Sequence, residues 1–129
     1  MLPELFPDRS AIVDLTDLVE AAKGNPVLLS YFSAIREQIQ QAANHRTWMT
    51  GEGHEGTVYV SFVLAANGSI RSATVLEGRS VPSRTLQGIA MQIVQSAEPF
   101  PAFPPSLPEH RKTIVVPLEF LLGSSVGRN

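Results

Sequence analysis

The stretch "GTVYVSFVLAANGSIRSATVLE", residues 56–77, decides the fold. Val58, Val60, Phe62 and Leu64 alternate with Thr57, Tyr59, Ser61 and Val63. Alternation with period two, rich in β-branched and aromatic residues, marks a half-buried strand. Asn67-Gly68 comes next. Both residues tolerate positive φ, so the pair turns the strand back on itself. "SIRSATVLE" is then the returning strand. Ile70 and Val75 fall in opposite phases, which leaves room for a β-bulge.

A helix lies on each side of this hairpin in the chain. Before it, Asn25 is a good N-cap and Pro26 suits a first helical position. Leu28, Tyr31, Phe32, Ile35, Ile39 and Ala42 then recur at helical spacing, which predicts a helix over about residues 26–43. After it, Ser83 caps "SRTLQGIAMQIVQSA", where Leu86, Ile89, Ala90, Ile93, Val94 and Ala97 form one stripe. Gly88 costs stability in that helix unless a neighbour packs on its bare backbone. The prolines of "EPFPAFPPSLP" exclude regular structure and fix an extended crossing that sets Phe100 and Phe103 down on the core.

"TIVVPLEFLL", residues 113–122, closes the domain as a strand with Pro117 inside it. The order is helix, strand, strand, helix, strand. Three antiparallel strands with two helices on one face make a two-layer α+β sandwich. Residues 25–122 form this domain, residues 1–24 are an arm or short helix, and residues 123–129 are a tail. In the arm, Asp14 or Thr16 would cap a helix in "DLTDLVEAAKG", with Leu15, Leu18, Val19 and Ala22 on one side and Gly24 as its stop. The capping signals favour this helix. The alternative is that "AIVDLTD", residues 11–17, lies as a strand on a sheet edge of its own or a second chain.

The chain has 129 residues, 43% hydrophobic and 17% charged, which suits one domain with a modest core. The first 25 residues carry five acids against Arg9 and Lys23, and the remainder is nearly balanced. Arg71, Arg79, Arg84, Arg111 and Lys112 read as solvated surface, so no nucleic acid is expected as a partner. There is no cysteine, hence no disulfide frame and no thiolate zinc site. No apolar run approaches the roughly 18 residues of a membrane span, and the opening residues lack a secretory pattern.

Catalytic chemistry finds little support. "GEGHEG", residues 51–56, matches a dinucleotide turn literally, yet it follows a helix and precedes a strand, the reverse of what that site needs. His45, Glu52, His54 and Glu55 offer metal-type ligands, but glycines loosen the loop and the spacing is not helical. A small metal-dependent enzyme built on His45, Glu52 and His54 is thus a remote alternative. No cofactor, no metal and no catalytic residue are expected. Trp48 reads as a cap on the end of the core.

Three segments together resemble the TonB C-terminal domain family. "GTVYVSFVLAANGSI" resembles its first hairpin. "LQGIAMQIVQSAEPFPAFP" resembles its second helix and the Pro-Phe-Pro run after it, through Leu86, Ala90, Val94, Ala97, Pro99, Phe100 and Pro101. "IVVPLEFLL" resembles its last strand. The likeness covers roughly residues 31–122 in the right order. Two departures are Gln87, where an acid is frequent, and "HRTWM" in place of a Tyr-Pro pair before the first strand. TolA has a similar terminal domain.

The resemblance implies a periplasmic domain of an energy transducer, tethered to the inner membrane. Such a domain grips an extended "box" peptide of an outer-membrane transporter, which adds as a strand beside the last strand. Inner-membrane motor proteins would engage only through a membrane segment this sequence does not contain. The residues supply a mechanism. Ile114, Val116, Leu118, Phe120 and Leu122 point inward, while Thr113, Val115, Pro117, Glu119 and Leu121 point outward and aim their backbone groups at a free edge. Proline is tolerated on such an edge, and an extended partner can add there. Thr113, Val115, Pro117, Glu119 and Leu121 are therefore the expected partner-binding residues. A homodimer through the same edge is the alternative, since unprotected edges invite self-pairing.

Overall fold

The computed structural model describes residues 12–45 and 55–120. Seven elements follow in order: β1 (Ile12–Asp14), α1 (Leu18–Ala22), α2 (Pro26–His45), β2 (Gly56–Ala65), β3 (Ile70–Val75), α3 (Arg84–Ser96) and β4 (Arg111–Phe120). The predicted helices and hairpin form for the local reasons given. The Asn25 carboxamide oxygen accepts from the N–H groups of Val27 and Leu28 at 2.9 and 3.2 Å, opening α2. The Ser83 hydroxyl accepts from Leu86 N–H at 3.2 Å, opening α3.

The class is α+β in two layers, but the sheet has four strands rather than three. Its order is β1-β4-β2-β3. β2 pairs antiparallel with both β3 and β4, and β1 pairs parallel with β4. The bulge falls where the ladder shifts between Val63 and Leu64, so that Leu64 pairs with Ile70 and Arg71 is skipped. This slip returns Ile70, Ala73 and Val75 to one face, where all three pack against the core.

The core joins the inner sheet face to the stripes of α2 and α3. Val58, Val60, Phe62 and Leu64 are fully buried, as are Phe32, Ile35, Leu86, Ala90, Ile93, Val94 and Ile114. Phe100 stacks on Phe62 with ring centroids 5.8 Å apart, and Phe103 meets Tyr31 edge-on at 6.0 Å. The proline-rich crossing is pinned by backbone and side-chain bonds. Phe100 N–H donates to Gly68 C=O at 2.9 Å and Phe103 N–H to Ala66 C=O at 2.9 Å. Tyr31 donates its hydroxyl to Pro101 C=O at 2.7 Å, and Gln38 donates to the carbonyls of Ala97 and Pro99. Burial pushes the Tyr31 hydroxyl up to about 12.

Gly68 sits at φ 96° under Phe100, so close that a Cβ there would strike the Phe100 carbonyl. Gly88 differs: nothing lies within 4 Å of where its Cβ would be, so no neighbour explains that glycine.

The arm divides between its two readings. Residues 12–14 are strand, and a one-turn helix follows. The cap of that helix is Asp17, whose carboxylate accepts from Glu20 N–H at 3.1 Å, rather than Asp14 or Thr16. Val19, assigned to the apolar side, is 72% exposed. Lys23 at φ 52° and Gly24 at φ 79° end it in left-handed conformation. Trp48, Leu121, Leu122 and residues 123–129 lie outside the described residues.

Candidate functional site: the outer edge of β4

Pro117 stands opposite Tyr59 of β2. The Tyr59 N–H donates to Ser80 Oγ at 2.9 Å, and its C=O accepts from Leu76 N–H at 2.8 Å. Both Tyr59 backbone groups are therefore committed on the side away from β4. In an antiparallel ladder such a pair exchanges no bonds. The missing N–H of Pro117 thus costs β2 nothing and faces the other edge.

That outer edge is partly occupied by this chain's own β1. Ile12, Val13 and Asp14 stand beside Thr113, Ile114 and Val115, running parallel to β4. Leu15 N–H donates to Val115 C=O at 2.8 Å, so the odd residues do aim their backbone outward. The next rung of a parallel ladder would need an N–H at residue 117 for the Leu15 carbonyl. Pro117 has none, and β1 stops. The chain then turns: the Asp14 carboxylate accepts from Thr16 N–H at 2.9 Å, and Asp17 N–H meets Asp14 C=O at 3.4 Å.

Side chains on β1 alternate between two environments. Val13 is 5% exposed and Leu15 is fully buried, both within the main core. Asp14 emerges on the open sheet face. There Arg79, from the loop after β3, places its guanidinium 4.0 Å from the centre of the Tyr59 ring. The same group meets Asp14 Oδ2 at 3.3 Å. Tyr59 belongs to β2 and Asp14 to β1, so Arg79 spans β4. This cover, with β1 alongside, accounts for Val115 being 5% exposed although it points outward.

Burial raises the Asp14 carboxyl, but bonds from the Thr16 hydroxyl and N–H, together with Arg79, outweigh it and hold the group below its usual range. The ion pair joins side chains that are 46% and 43% exposed. An exposed pair of this kind contributes about 0–1 kcal/mol.

Of the five expected binding residues, Thr113 and Val115 lie beside β1, while Pro117 and Glu119 lie beyond its end. Among the described residues no strand pairs with that later part of the edge. Leu121 is outside the described residues. Arg79, read from sequence as solvated surface, has a defined position that no local pattern announced. Of the metal-type ligands, Glu52 and His54 are likewise outside the described residues, as is the side chain of His45.

These features define a class: a two-layer α+β domain whose last strand accepts an extended segment along its outer edge. The family described as Gram-negative bacterial TonB protein C-terminal matches residues 50–122, and the chain belongs to that family. It is a family of non-catalytic, periplasmic transport and interaction domains. Among solved structures, the TonB C-terminal domain of Helicobacter pylori, determined by NMR in solution, has a similar fold. Its TM-score is 0.61 at 23% identity, and the match covers 85% of this chain and 96% of that one. No curated protein matches the sequence significantly.

Proposed function

We propose that this domain is the peptide-binding end of a TonB-type energy transducer. It engages the box segment of an outer-membrane transporter by strand addition to β4 and so supports active transport. Thr113, Val115, Pro117, Glu119 and Leu121 supply the edge. The observation that carries this reading is the bond from Leu15 N–H to Val115 C=O. It belongs to an extended segment that already runs along this edge. Transporter segments would take the same lane, displacing β1 and extending past Pro117. Each net backbone bond contributes about 0.5–1.5 kcal/mol, so a short peptide binds weakly unless its side chains also find pockets. Inner-membrane motor proteins would act through a membrane segment outside this sequence.

The test is titration of a box-type peptide into isotope-labelled protein, with every amide followed. The expected result is shifts along Thr113–Glu119 and in β1. Shifts confined to the β3 side of the sheet would overturn the reading.

A further inference from the structure

Resting on that reading, we propose that the β4 edge selects an extended segment of pattern apolar–acid–apolar, with Arg79 on Tyr59 receiving the acid. The chain's own Val13-Asp14-Leu15 holds this site in cis. The selectivity follows from what β1 contributes. Its backbone offers little that another strand lacks. Its distinguishing features are two inward apolar side chains and one outward carboxylate, and each meets a built receptor.

Val13 and Leu15 join the core cluster that includes Phe32 and Ile114, with Val13 opposite Ile114 in the ladder. The carboxylate receptor lies elsewhere in sequence. Arg79 belongs to the β3–α3 loop, and Tyr59 to β2. The guanidinium carbon lies over the ring, 4.0 Å from its centre. Stacking on an aromatic face fixes a long side chain that would otherwise sample many rotamers. Arg79 is thereby positioned across β4, where the second residue of an added segment presents its side chain. An acid there is attracted. A lysine there is repelled, which is how an edge gains specificity from a charge.

The hold of β1 is contestable. Burying Val13 and Leu15 favours the strand. Fixing the strand residues costs backbone entropy of similar size, which consumes most of that gain. Tethering helps the arm, because a short linker gives it an effective concentration in the millimolar range. A partner of matching pattern must outcompete it, and weakening the cis pair must help the partner.

The experiment uses the full chain and two fluorescent peptides. One is AIVDLTD, the sequence of residues 11–17, and the other carries Lys in place of its first Asp. Proteins are wild type, Asp14→Lys, Arg79→Glu and the double variant. All changes are on the exposed face, and circular dichroism reports folding. Asp14→Lys should tighten the acidic peptide by up to about fivefold, the range of an exposed ion pair. Arg79→Glu should reverse the preference, so that the Lys peptide binds better than the acidic one. The double variant restores a cis pair of opposite polarity and should bind both peptides more weakly than Arg79→Glu does.

An identical peptide preference with Arg79 and with Glu at that position would overturn the selectivity while leaving strand addition standing. Unchanged affinity in Asp14→Lys would overturn the cis occupancy. Failure of both peptides to bind any of the four proteins would remove strand addition itself, and this inference with it.

Discussion

The two edges of the sheet are closed in different ways. On the β3 side, closure is built in. β3 is only six residues long, carries the bulge, and exposes Arg71, Ser72 and Thr74. The Glu98 carboxylate takes the N–H of Ile70 at 2.9 Å. The following loop stays bonded to β2, with Leu76 N–H on Tyr59 C=O and Val81 N–H on Thr57 C=O. Short, bulged, polar edges resist strand addition. On the β4 side the strand has ten residues, and its cover is a separate three-residue strand ended by a proline. One edge is blunted by a bulge, exposed polar side chains and the Glu98 carboxylate. The other is covered by a segment that arrives from the far end of the chain, which on the proposed reading an equivalent strand would replace.

The largest expected effect attacks the β3 side. Gly68→Ala would combine a left-handed backbone with a clash at the Phe100 carbonyl. Strain at such a position costs about 1–3 kcal/mol, and partial loss of Phe100 burial adds up to about 1.5 kcal/mol. Denaturant unfolding should show a global loss of that combined size. A loss under about 1 kcal/mol would mean the hairpin and the proline crossing are not mechanically joined.

Leu15→Ala tests the other side. Truncating a fully buried leucine costs about 2–5 kcal/mol. Here the loss should appear first as local opening. Hydrogen exchange at the Leu15 position should accelerate well before β2 and β3 amides respond, and box-peptide affinity should rise. Uniform acceleration across all four strands would show that β1 is as integral as β3.

Pro117→Ala sharpens the comparison with a smaller change. The new N–H would offer the Leu15 carbonyl the rung a parallel ladder calls for next, and one more rung is worth about 0.5–1.5 kcal/mol. Loss of proline's stiffening of the unfolded chain offsets it by about 0.4–1 kcal/mol. Net stability should hardly move, but the new amide should exchange slowly and β1 should gain protection. A rapidly exchanging amide at 117 would contradict the assigned end of the ladder.

The effect of pH is similarly small. Asp14 is held below its usual range in the folded state. A depressed acid stabilises above its unfolded pKa, and the contribution is lost as pH falls through the folded value. Because both side chains of the pair are well exposed, screening limits the effect to about 1 kcal/mol or less. NMR shifts of β1 amides should therefore move on acidification in the wild type and much less in Asp14→Asn. Equal movement in both would assign the change to another group.

Sequence by itself determined α2, α3 and the strands β2, β3 and β4. Each carries its own signal within a few residues: the Asn25 and Ser83 caps, the 3.6-residue stripes, the alternation of β2 and the Asn-Gly turn. It also placed Pro117 correctly with respect to β2, because backbone direction alternates strictly along a strand. Only the tertiary structure decided the rest. Residues 12–17 satisfy both a helix cap and a strand edge locally, and the choice rests on Thr113–Val115, almost the whole chain away. Arg79 looks like any surface arginine until Tyr59 and Asp14 are brought to either side of β4. Local patterns record which groups a residue can bond next to itself. The cover on an edge strand depends on what the fold delivers there, and that is a property of closure across the chain.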